Sequence, residues 1–403
     1  MHAAEMIATE PGALGASGLR RVLVVLCVTQ ITSWGVLYYA FPVLAPSIAA
    51  DTGWSVPAVT AAFSAGLVVS ALVGIPVGRL LDRIGPRPVM TAGSVLAVPA
   101  VLTIALAQSF PMFVAGWLLA GVAMSGVLYP PAFAALTRWW GPRRVTALTA
   151  LTLLAGLSST IFAPLTATLL EHLGWRQTYL VLAAVLAAVT IPAHLIGLRG
   201  RWPAPEPHPA DHADHAPAAI AHSRPFVLLV AAIGLTSFTA FAVVVNQVPL
   251  LIERGLSTSA AAWALGLGGV GQVLGRLGYT RLAAATGVRT RTVLIISGTA
   301  ATTALLAAVP GPTALLIAAA MLAGAARGVA TLLQATAVTD RWGAAHYGRL
   351  GGILSAPVVL ATALAPWAGA ALAALLGGYP AVFVLLAAVA ALAAVLAIGS
   401  VPR

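Results

Sequence analysis

Arg327 is the side chain in this 403-residue sequence with the strongest reason to do chemistry. It stands halfway along an apolar run at 312–339, with Thr331 and Gln334 on the same helical face at i+4 and i+7. An arginine at the centre of a membrane helix costs roughly 2.5–3.5 kcal/mol on insertion scales, so it should face a cavity and meet an anion or an acceptor. No carboxylate is predicted at its depth in any other apolar run, and an incoming anion would satisfy it. The alternative is a structural arginine held by helix carbonyls and water. The first apolar run offers Gln30, Trp34 and Tyr38 in one stripe, with Tyr39 beside it. The seventh offers Thr239, Asn246 and Gln247, and the fourth Ser125 and Tyr129. Aromatic faces with a few polar tips suit a small ligand; the same residues also serve as interhelical packing near an interface.

Other chemistries find little support. The single cysteine, Cys27, allows neither a disulfide nor a cysteine metal site. His208, Asp211, His212, Asp214, His215 and His222 are dense enough for Zn or Ni, but their segment has no apparent fold to fix ligand geometry. It is read as solvated, and no metal or cofactor is expected. Gly266–Gly271 is glycine-rich but is not followed by Lys, so it reads as close helix packing rather than a nucleotide loop. With no catalytic motif or paired catalytic groups in the apolar runs, no catalytic residue is assigned and an enzyme is not expected.

The elements that position these residues are membrane helices. The chain is 60% hydrophobic and 8% charged, where a soluble domain carries about a quarter charged residues. The fold expected is an all-α integral membrane protein of twelve transmembrane helices, in two pseudo-symmetric six-helix bundles around a central cavity. The expected spans run near 21–45, 56–80, 88–107, 111–137, 145–170, 176–198, 225–252, 258–283, 291–309, 312–339, 348–376 and 380–401. A cytoplasmic tail at 1–20 precedes the first bundle at 21–198. A linker at 199–224 and the second bundle at 225–403 follow. With the N-terminus inside, 18 of the 21 arginines fall in cytoplasmic segments, leaving Arg176 and Arg254 outside and Arg327 in mid-membrane. The localisation expected is the cell (inner) membrane, multi-pass, with both termini cytoplasmic. The basic residues form no patch interleaved with stacking aromatics, so no nucleic acid is expected. A small-molecule substrate, the lipid bilayer and a monomeric state are.

The two parts repeat at an offset near 203 residues. Thr32–Trp34 matches Thr236–Phe238, Gly78–Leu80 matches Gly275–Leu277, Arg138–Trp139 matches Arg341–Trp342, and Ala163–Pro164 matches Ala365–Pro366. Such repeats place a binding site at their interface, near the bilayer midplane.

The loop expected after the second span reads GRLLDRIGPR, with Gly78, Arg79, Asp82, Arg83, Gly85 and Arg87. It resembles the signature loop of the major facilitator superfamily. The resemblance implies a latch that holds the cytoplasmic side when the transporter faces outward; a topogenic basic loop is the other reading. The second copy, at 275–291, lacks the Asp-Arg pair. Residues 53–87, 129–144 and 172–180 resemble the monocarboxylate-porter and oxalate/formate-exchanger branch, which implies small organic anions. The expected function is therefore a secondary active or facilitative transporter of a small solute, most simply a monocarboxylate-like anion, working by alternating access. The alternative is a proton-antiporting efflux transporter for drugs or amphipathic metabolites. Against it, the fourth span lacks a charge, and Ala163–Pro164 stands without the paired glycines of many drug exporters. Asp51, Glu171 and Glu253 fall at outer ends and Asp82 and Asp340 at inner ends. With no intramembrane carboxylate, exchange or facilitated movement is favoured, and symport of a proton with the anion stays open.

Overall fold

The computed structural model describes residues 14–202, 216–343 and 347–402, and every regular element among them is helical. In chain order the main helices are α1 (Ala16–Thr52), α2 (Val56–Ile84), α3 (Pro86–Ala105), α4 (Phe110–Trp140), α5 (Arg144–Gly197) and α6 (Arg224–Glu253). They continue as α7 (Thr258–Ala285), α8 (Val288–Ala308), α9 (Thr313–Thr336), α10 (Tyr347–Leu376) and α11 (Tyr379–Ile398). Among the described residues, ten helices are long and apolar enough to cross a membrane; α7, with Arg276 and Arg281 among its glycines, is not one of the ten. As a straight rod α5 would run about 80 Å, far beyond a bilayer. It breaks at Gly174, whose φ of 76° and ψ of 168° are non-helical, into two limbs. Trp175 Nε1 donates to Asp51 Oδ2 at 2.9 Å, and Arg176 Nη1 to the Ala107 carbonyl at 2.7 Å, pinning the break.

Several boundaries move. The first helix begins at Ala16, inside the expected tail. The expected linker contains a short helix, Ala216–Ala221, and its residues 203–215, which carry five of the six candidate metal-binding side chains, lie outside the described residues. Gly78–Ile84 is not a loop. It forms the last two turns of α2, and the chain turns only at Gly85, with φ of 84°. Arg276 is likewise not in a cytoplasmic loop; it is buried inside α7.

Small residues set the closest approaches. A Cβ on Gly121 of α4 would lie 2.2 Å from the Gly66 carbonyl oxygen of α2, and one on Gly324 of α9 would lie 1.9 Å from that of Gly268 in α7. The two contacts are 203 and 202 residues apart in sequence, so the repeat extends to backbone packing. Gly271 and Gly275 of α7 press the same way on Met321 and Ala325 of α9. Ser55 and Ser257 cap α2 and α7 alike, accepting from the amides of Ala58 and Ala260.

One apolar core joins the two parts of the chain. Leu44 and Ile48 of α1, Phe63 of α2 and Trp117 of α4 cluster with Val248 and Leu251 of α6 and Leu265 of α7. It lies toward the end that carries Asp51 and Glu253. At the arginine-rich end each part keeps its own core, around Leu26 and Leu136 in one and around Phe226 and Leu354 in the other. Two seams connect the parts: Thr160 Oγ1 of α5 donates to the Gly266 carbonyl of α7 at 2.7 Å, and the Trp367 amide of α10 donates to Ser64 Oγ of α2 at 3.1 Å. The molecule is thus sealed at one end and divided at the other.

Candidate functional site

The site begins with a distortion in α1. Residues Gly35–Tyr39 form a π-helical turn, with the Phe162 ring of α5 filling the space where a Gly35 side chain would be. Such turns carry an extra residue per turn and recur at functional sites. Here the turn lets Tyr38 and Tyr39 both approach Trp34, at ring-centroid distances of 5.3 and 6.4 Å. Tyr129 of α4 completes the wall, 5.0 Å from Trp34. Tyr38 is buried and also meets Phe241 of α6 edge-on at 6.1 Å, across the divide. The Trp34 Nε1 and Tyr38 hydroxyl have no hydrogen-bond partner among the described residues.

The opposite wall is cationic. Arg327 Nη2 donates to Gln272 Oε1 of α7 at 3.1 Å, and its Nε is buried without a partner. Arg276 lies one helical turn beyond Gln272. Its Nη1 donates across the divide to the Thr152 carbonyl of α5, and its Nε too has no partner. Tyr129, Tyr39 and Arg327 are its electrostatic neighbours, and Tyr38 faces Arg327. Arg327 is level with Gln272, because Gly328 beside it packs on the Gln272 carbonyl, and so lies about one turn from Arg276 toward the sealed end. Two cavities flank Arg327. One is lined by Gln247, Gly268, Thr299, Thr303 and Gly324. The other is lined by Thr236, Ser237, Phe241, Thr331 and Gln334.

The expected site residues divide into two groups. Arg327, Thr331 and Gln334 share one cavity, and Trp34, Tyr38 and Tyr129 share one aromatic wall. Gln247 lines the cavity behind Arg327 with its Nε2 unpartnered. Gln30 and Asn246 are instead engaged by the backbone. Gln30 Nε2 donates to the Val127 carbonyl at 2.6 Å, and Asn246 Nδ2 to those of Ala242 and Pro366 at 2.8 and 3.4 Å. Arg276 was assigned to a loop from sequence. The signal that places it at the seam between the parts is its position one turn after Gln272, on a different face from the exposed Leu274 and Leu277.

The gating cluster is organised within the first part of the chain. Arg138 Nη2 of α4 lies 2.5 Å from Asp82 Oδ1 of α2. Trp202 Nε1 donates to the Asp82 carbonyl at 3.2 Å, while its ring lies 4.6 Å below the Arg138 guanidinium. That ring occupies the space beside Gly85. Arg87 Nε donates to the Leu195 carbonyl at 2.8 Å, and Arg79 and Arg83 are exposed. Gly78 does not serve as a close-packing point in this conformation: a Cβ there would meet nothing within 4 Å. The second part has an ion pair of its own. Tyr279 stands where the first copy has Asp82, and Arg291 pairs instead with Asp340, which also accepts from Thr336 at 2.9 Å. Burial lowers the neighbouring Arg341 guanidinium to about 10, with Asp340 opposing the shift.

A polytopic helical protein of two related parts, sealed together at one end and separate at the other, has the architecture of a membrane transporter. The chain belongs to the Major Facilitator Superfamily, whose family model matches residues 26–312 and 227–403. Monocarboxylate transporter 13 of Bos taurus is 28% identical over 61% of this chain and 56% of its own length. Monocarboxylate transporter 11 of Homo sapiens is 30% identical over 59% and 50%. The chain thus spans about half the length of these relatives. The multidrug resistance protein MdtL of Shigella flexneri is 34% identical over 36% of this chain and 37% of its own. Among solved structures, a bacterial homologue of the human lysosomal transporter Spinster, inward-facing and unoccupied, matches with a TM-score of 0.75. It covers 96% of this chain and 98% of that one at 14% identity, which speaks for the fold alone.

Proposed function

We propose that this protein carries small organic anions across the cell membrane by alternating access. The carrying observation is that Arg276 and Arg327 are electrostatic neighbours inside their helices, with no carboxylate paired to either among the described residues. Among the described residues Asp51, Asp82, Glu171, Glu253 and Asp340 sit at helix ends. Two neighbouring guanidinium groups in a low-dielectric interior repel each other and call for a counter-charge. A carboxylate answers them in bidentate geometry. The Trp34, Tyr38 and Tyr129 wall offers its apolar faces to the rest of the solute.

Twelve crossings follow if α5 counts as two and α7 as one, giving six for each part of the chain. With the arginine-rich end cytoplasmic, the sealed end faces outward and this conformation opens inward. The cavity is completed within one chain, which fits a monomer. The test is uptake of labelled lactate and butyrate by the protein reconstituted in liposomes. Saturable uptake that Arg276→Gln reduces at least tenfold supports the reading. Transport of lipophilic cations instead, with carboxylates ignored, would favour the efflux reading that the aromatic wall and the MdtL likeness keep in play.

A further inference from the structure

The gating cluster takes one residue from the start of the linker. Trp202 belongs to the chain that leaves α5, yet it touches three members of the cluster. Its Nε1 donates to the Asp82 carbonyl and its ring lies under the Arg138 guanidinium. The same ring stands where a Gly85 side chain would be, with a Cβ there 3.1 Å away. The Asp82 carbonyl is among the last of α2, where the helix supplies no donor of its own. Arg138 Nη1 also reaches it, at 3.3 Å, so indole and guanidinium share one acceptor.

The position of Trp202 is itself fixed. Trp139 of α4 meets its ring edge-on at 5.5 Å, and Trp139 Nε1 donates to the Arg201 carbonyl at 3.1 Å. Arg21 of α1 donates to the Arg199 carbonyl. Residues 199–202 are thus tied to the first part of the chain. The second part holds its matching arginine differently: Arg341 donates to the carbonyl and hydroxyl oxygens of Ser400. An exposed ion pair keeps its geometry weakly by itself, because two flexible side chains give up their freedom for little gain. A ring fixed under one partner and an N–H fixed on the backbone of the other restrain both.

We propose that Trp202 is a positioning residue of the gating cluster. It holds Asp82 and Arg138 in register, and so makes the start of the linker part of the device that sets the balance between inward-open and outward-open forms. This rests on the latch reading of the cluster and is independent of which solute is carried.

The experiment reads that balance without a solute. Nitroxides are attached at Val145→Cys and Thr290→Cys, exposed positions at the arginine-rich end of each part, in full-length Cys27→Ala protein in nanodiscs. Double electron–electron resonance then gives the ratio of long to short distances. Trp202→Ala should change that ratio about two- to fivefold, the worth of an exposed cation–π contact. Asp82→Asn should change it in the same direction, and the double variant should match Asp82→Asn alone. Trp202→Phe, which keeps a ring and loses the N–H, should fall between wild type and Trp202→Ala. A merely structural Trp202 would lower the amount of folded protein and leave the ratio of the remainder unchanged. A ratio moved by Asp82→Asn but not by Trp202→Ala, or additive effects of the two, overturns the positioning role and leaves the latch standing. A ratio that neither variant moves overturns both, and the anion reading is untouched.

Discussion

Gln30 Nε2 donates to the carbonyl oxygen of Val127, four residues before Pro131, which has no amide hydrogen to give it. The α4 helix is broken there, with Leu128 in extended geometry, and the Gln30 amide supplies the missing donor from a neighbouring helix. Within a membrane such a carbonyl has no water to turn to. The residue first read as a substrate contact thus holds in place the turn that presents Tyr129.

Replacing Gln30 with Leu should therefore lower stability by about 1–3 kcal/mol, the cost of an unsatisfied buried acceptor. Cys27 is buried in the same helix and is the one cysteine of the chain, so a thiol-reactive dye reports unfolding without any added label. The melting temperature read this way should fall. An unchanged melting temperature would mean that the Val127 carbonyl finds another donor.

Arg276→Lys keeps the charge but loses the planar fork. Uptake of carboxylates should show an apparent KM raised about tenfold or more, the loss expected for a bidentate charge-assisted contact. A purely structural Arg276 would lower the amount of folded protein and leave the KM of the remainder unchanged.

Asp82→Asn removes the ion pair with Arg138, whose side chains are 58% and 19% exposed respectively. Pairs this exposed contribute about 0–1 kcal/mol, so the melting temperature should hardly move. If the pair acts as a latch, the transport rate should still drop severalfold. A rate equal to wild type would leave the motif with only its topogenic role.

Gly78 should respond differently from the glycines packed between α7 and α9. Gly78→Ala meets open space in this conformation and should change stability by less than about 0.5 kcal/mol. A slowed transport cycle would then locate close packing at Gly78 in the opposite conformation. Gly324→Ala drives a methyl onto the Gly268 carbonyl and should cost about 1–3 kcal/mol or more, read as loss of folded protein in detergent.

Much of the architecture was legible from periodicity and charge. Apolar runs mark the helices, arginines mark one side, and matched tripeptides mark the repeat. Arg327, Thr331 and Gln334 fell together because helical spacing alone decides which residues share a face. What stayed hidden depends on neighbours. The turn at Gly35–Tyr39 arises where Phe162 of another helix fills the space beside a glycine, and no local signal announces it. Gln30 and Asn246 look like ligand groups until the carbonyls near Pro131 and Pro366 claim them. Arg276 was misplaced because GRL matched a sequence read as a loop, although both copies turned out to be helical.

The glycine seam between α7 and α9 bears on more than packing. Gly268, Gly271 and Gly275 bring one backbone against the other at Gly324, Met321 and Ala325, with no side chains between them to re-pack. Helices joined so directly travel as one rigid piece. Arg276 rides on one and Arg327 on the other, so the backbone positions that carry the two cations keep one register. Both cations would then change sides together, as one doubly charged unit carried by a single pair of helices.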